Sequence, residues 1–105
     1  MNHEEYHYIV QQKLIIDAWQ REEYLIELEQ SLRFILIKIN WHKNLLIKGY
    51  YNLNLNEVTS VKNDLKEYVN ELDEVIIEFK KIEAPIERAE MIKDKTIELI
   101  KNLKK

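Results

Sequence analysis

A single glycine and a single proline interrupt this chain of 105 residues, Gly49 near its midpoint and Pro85 towards its end. Between and around them the apolar residues keep helical time. From Val58 they step in three-four alternation through Val61, Leu65, Tyr68, Leu72, Val75, Phe79, Ile82, Ile86 and Ala89. A heptad seam held for more than four repeats describes a long helix that lies against another helix. The first half carries its own seam, Leu25, Leu28, Leu32, Ile35, Ile39, His42 and Leu46. The expected fold is all-α: one domain over 1–105, a long antiparallel helical hairpin completed as a three-helix or dimeric four-helix bundle.

Local signals place the boundaries. The first arm spans about 3–48, with a break near 17–23 left open. The β-branched and aromatic stretch 33–41 tempts a strand assignment, but no second strand-like segment exists to pair with it. Residues 49–53 form the expected turn, with Gly49 suited to a left-handed helix closure. Asn54 reads as an N-cap with Glu57 three residues on, and Leu53 and Val58 flank it as a hydrophobic staple. Pro85 removes a backbone donor, so the second arm either kinks there or a third helix starts there.

Charge is arranged in blocks. Residues 1–30 hold seven acids and two bases, 31–48 four bases and no acid, 57–90 ten acids and five bases, and 91–105 five bases and two acids. A fold at about residue 51 would set the acidic start against the basic end. It would also set 31–48 against Glu57, Asp64, Glu67 and Glu71. Phe34, Ile37, Trp41, Leu45, Ile76, Ile77 and Leu99 lie off the seams, a surplus that calls for cover by a compact bundle or a second chain.

Net charge is −3 and cysteine is absent, which removes a global basic field, disulfides and thiolate chemistry. The start of the chain lacks the pattern of a signal peptide and no apolar run is long enough to span a membrane, so a cytoplasmic location is expected. Abundant Ile, Lys and Asn with only three Ala suit an A/T-rich genome, bacterial or phage.

Chemical motifs are few. His3-Glu4-Glu5-Tyr6-His7 matches H-E-x-x-H, the helical zinc-binding pattern, but the few residues before it are not expected to supply a metalloprotease scaffold, and His42 is about 50 Å away along a helix. Glu4 and His7 also make half of a di-iron signature, without the second half. Glu67, Glu71, Glu74 and Glu78 form an acidic ladder, read either as a cation or partner site or as a solvated face. No catalytic, metal or cofactor site is assigned and no enzyme activity is expected.

The segment 33–51 is basic and aromatic: Arg33, Phe34, Lys38, Trp41, Tyr50 and Tyr51 are the candidate interface residues, with the acidic ladder as a second patch. Aromatic and Arg anchors favour a protein partner, an inhibitor, immunity or adaptor type of role, and self-association into a homodimer. Two other readings stand beside it. One is a nucleic-acid-associated protein using the basic 31–48 block. The other is a structural or secretion-associated helical hairpin. In size and central turn the chain resembles, in outline, the small Trp-x-Gly hairpin secretion proteins, although His42 and Lys43 follow Trp41 where that motif needs x-Gly.

Overall fold

The computed structural model describes backbone at 3–49 and 54–103, and side chains at 17–47 and 54–103. It contains three helices: α1 (His3–Gly49), α2 (Leu55–Lys81) and α3 (Glu87–Asn102), with no strand among the described residues. α1 is unbroken through 17–23 and through the β-branched stretch 33–41. Gly49 is its last helical residue, and no described glycine has positive φ, so the left-handed closure expected there is not formed. The rest of the expected turn, including Tyr50, Tyr51 and Leu53, lies outside the described residues.

α2 starts as its capping residues dictate. The Asn54 side-chain oxygen accepts from the Glu57 N–H at 2.8 Å, and the Asn54 amide donates to the Glu57 carboxylate at 3.0 Å. One orphan backbone N–H of the first turn, that of Glu57, is thereby satisfied. The second bond ties the two side chains together instead of returning to the Asn54 backbone N–H as in a full capping box. α1 and α2 run antiparallel: Tyr24 meets Glu78, Lys38 meets Glu71, and His42 meets Asp64.

α2 stops without a glycine. Glu83 takes the left-handed conformation (φ 56°). The Ala84 N–H donates to the Phe79 carbonyl at 3.0 Å, and the Glu83 N–H to Lys80 at 3.1 Å. That pair of bonds is a Schellman closure, with buried Ala84 beside Phe79 and Pro85 barring any continuation. Of the two arrangements left open at Pro85, the chain adopts the third helix, and Lys93 on α3 pairs with Asp73 on α2 at 2.6 Å. The basic end therefore folds back along α2 and does not run out to the acidic start of α1. The other half of the charge pairing forms in part, through Lys38–Glu71 and His42–Asp64, while Glu57 and Glu67 meet no cation of 31–48 among the described residues.

The seams become the core. Leu28, Leu32, Ile35, Ile39 and Leu46 of α1 are buried against Val61, Leu65, Leu72, Val75 and Phe79 of α2, and against Ala89, Ile92 and Leu103. Leu65 and Leu72 have no exposed surface. Burying such a leucine contributes about 1.5–3 kcal/mol, which replaces the helix propensity that an Ala-poor chain lacks.

α1 outruns its partners. Ile82, at the end of α2, lies opposite Arg21, and residues 17–23 are all exposed. About five turns of α1 thus project beyond the bundle, in keeping with dimensions of 75 × 17 × 17 Å.

Candidate interaction face

α1 is apolar on two opposite sides. At about 100° per residue, the buried seam occupies one side. Trp19, Ile26, Phe34, Ile37, Trp41 and Leu45 fall on the other, roughly 160° around the axis. Phe34 and Trp41 each keep 61% of their surface in water and Ile37 keeps 58%. Helix α2 differs: its buried residues form one stripe, with only Leu55 and Ile77 as large exposed apolar side chains. Of the off-seam residues, Ile76 is buried and Leu99 half-buried because α3 and α1 cover them, whereas Phe34, Ile37, Trp41, Leu45 and Ile77 stay outside.

The basic block does not form one surface. Arg33, Lys38 and Lys43 are five residues apart, so successive cations turn by about 140° around the helix. Arg33 faces solvent. Lys38 lies in the α1–α2 seam, 2.9 Å from Glu71, with its ammonium 5.0 Å from the Phe34 ring centre and 4.8 Å from that of Tyr68. Lys43 points towards α3, where it lines a groove of about 550 Å³ with Leu36, Met91, Lys95 and Leu99.

Beside Lys38 sits the one buried histidine among the described residues. His42 Nδ1 is 2.8 Å from the Lys38 carbonyl, an acceptor, so Nδ1 carries a hydrogen. Nε2 faces the Asp64 carboxylate at 3.1 Å and the Tyr68 hydroxyl at 3.5 Å. A protonated ring donates to Asp64, while a neutral ring can accept from Tyr68. Burial first, and Asp64 second, raise the Tyr68 hydroxyl above its ordinary range. The Trp41 ring meets His42 edge-on at 5.2 Å, so the exposed tryptophan braces the buried network. Only the placement of His42 in the seam, with the basic block set against Asp64 and Glu71, hinted at this cluster in the sequence.

The acidic ladder divides. Glu67 and Glu74 are exposed. Glu71 is engaged by Lys38, and Glu78 by the Tyr24 hydroxyl and Lys81. The Tyr24 hydroxyl, then Lys81, hold the Glu78 carboxyl below its ordinary range, and Glu78 in turn raises Tyr24. Among the described residues no three His, Cys, Asp or Glu side chains come together as a metal site. The side chains of His3, Glu4, Glu5 and His7 lie outside the described residues. No described helix is long and apolar enough to cross a membrane. No protein-family model, curated protein or solved structure matches the chain.

Proposed function

We propose that this chain is a protein-interaction module that acts by binding rather than catalysis, through the solvent side of α1. The observation that carries the reading is the second apolar stripe. Phe34, Ile37 and Trp41 are held on a helix with most of their surface in water, although the core beneath is built from the opposite side of the same helix. Apolar patches of this kind mark interfaces in soluble proteins, and Trp and Arg are common anchors within them. Arg33 stands at the edge of the stripe and is exposed. The acidic ladder is a weaker candidate, since half of it is already paired within the chain, Glu71 with Lys38 and Glu78 with Tyr24 and Lys81. The dispersal of Arg33, Lys38 and Lys43 around α1 likewise speaks against a nucleic-acid surface, which needs its cations on one side.

This reading groups the protein with inhibitors, immunity proteins and adaptors. Its Ile-, Lys- and Asn-rich composition suits a bacterial or phage source, and the cytoplasm is its expected place of action. A photo-crosslinking residue at position 37, introduced in the cell of origin, tests the proposal. A covalent adduct at 37, absent at exposed position 67 and lost with Phe34→Glu, supports it. No adduct at 37, or equal adducts at both positions, contradicts it.

A further inference from the structure

We infer that the occupant of this face is a second copy of the same chain, with its α1 laid antiparallel across a two-fold axis between residues 31 and 32. The inference rests on reading the solvent side of α1 as an interface, and adds what covers it.

The apolar stripe runs, among the described side chains, from Trp19 to Leu45. Within it, charge along α1 changes sign between Glu29 and Arg33, about residues 31 and 32. Glu22, Glu23, Glu27 and Glu29 precede it, and only bases, beginning with Arg33, follow it as far as residue 48. Antiparallel pairing about this point sets Ile26 level with Ile37 of the second copy, with Trp19 within one residue of Leu45 and Gln30 within one residue of Phe34. On the rim it sets Glu29 against Arg33 twice, once on each side of the axis, and brings Glu27 towards Lys38. Glu29 and Arg33 are exposed, and neither has an ion-pair partner among the described residues. Parallel pairing would instead align acid with acid and base with base. A sequence that is self-complementary only when reversed is what an isologous contact requires.

The geometry leaves room for it. α2 and α3 both pack on the seam side of α1, so no described backbone of either copy obstructs the approach. The stripe is about 39 Å long at 1.5 Å per residue. Its six large side chains leave on the order of 600 Å² of apolar surface in water. With the stems of Arg33, Glu27 and Glu29 alongside, the footprint approaches the ~800 Å² per partner of a stable interface.

The absence of cysteine makes the test direct. Full-length Ile26→Cys and Ile37→Cys chains are oxidised separately and as a mixture, with helicity checked by circular dichroism. A disulfide-linked dimer in the mixture, at least about tenfold more abundant than in either chain alone, is expected. A second arm uses charge. Arg33→Glu should weaken dimerisation by about tenfold or more, because the change counts twice across the axis, and Glu29→Arg added to it should restore it. Cross-linking within each single variant would mean parallel pairing and overturn the inference. So would a mixture that stays monomeric, or a charge swap without rescue. If position 37 still forms an adduct in cells with some other protein, the interface reading stands and the second copy falls. If there is neither adduct nor dimer, both fall.

Discussion

Arg21 on α1 donates from both Nε and Nη2 to the carbonyl oxygen of Ile82, at 3.1 and 2.8 Å. That carbonyl belongs to the negative end of α2, so the guanidinium closes the helix terminus and fixes where α2 ends along α1. The contact is exposed, and solvent competes for it. Arg21→Ala should cost about 1 kcal/mol, seen as a lower urea midpoint with unchanged slope. Arg21→Lys should recover part of this, keeping the charge but losing the fork.

The left-handed turn at Glu83 offers the opposite sign. A non-glycine residue there carries strain of about 1–2 kcal/mol. Glu83→Gly should therefore raise stability by about 0.5–1 kcal/mol, a thermal shift of several degrees for a domain of this size. A loss of stability would mean that the Schellman closure does not end α2 in solution.

Core and outer face should respond differently. Leu65→Ala or Leu72→Ala removes a fully buried side chain and should cost about 2–5 kcal/mol in chemical unfolding. Ile37→Ala and Trp41→Ala lie outside the core, so an isolated chain should change by no more than about 0.5 kcal/mol, with a modest addition at Trp41 for its contact with His42.

The Tyr24–Glu78 pair makes stability depend on pH at both ends. Glu78 is held low by the Tyr24 hydroxyl, so its contribution is present above the ordinary glutamate range and is lost as pH falls through its depressed folded value. The Tyr24 hydroxyl is raised by Glu78. Its contribution is present below about pH 10, the ordinary tyrosine value, and is lost as pH rises through the higher folded value. Tyr24→Phe should flatten the acid limb of a stability–pH curve. Part of the alkaline limb should survive, because Lys93 is separately raised by Asp73 and loses its contribution only as it deprotonates.

Much of this architecture is legible in the residues. Heptad spacing marks Leu28, Leu32, Ile35, Leu65 and Leu72 as core because a buried stripe must repeat with the helix. Asn54 and Glu57 announce the start of α2 by chemistry that few other sites need. The stop at Glu83 carries no such signature, since a left-handed glutamate looks like any surface glutamate and only the following Ala-Pro hints at it. Off-seam residues are harder for a different reason. Ile76 and Phe34 look alike in sequence, and only the return of α3 along α2 decides that one is covered and the other is not. The basic block misleads in the same way: contiguous in sequence, its cations are scattered by the five-residue step around α1.

The most direct measurement is the solution mass by light scattering, from micromolar concentration upward, of the native chain and of a Phe34→Glu, Trp41→Glu variant. The account predicts twice the 12.8 kDa chain mass for the native protein and 12.8 kDa for the variant, with helicity equal in both. A native protein that remains at 12.8 kDa throughout, or a variant that still dimerises, would contradict it.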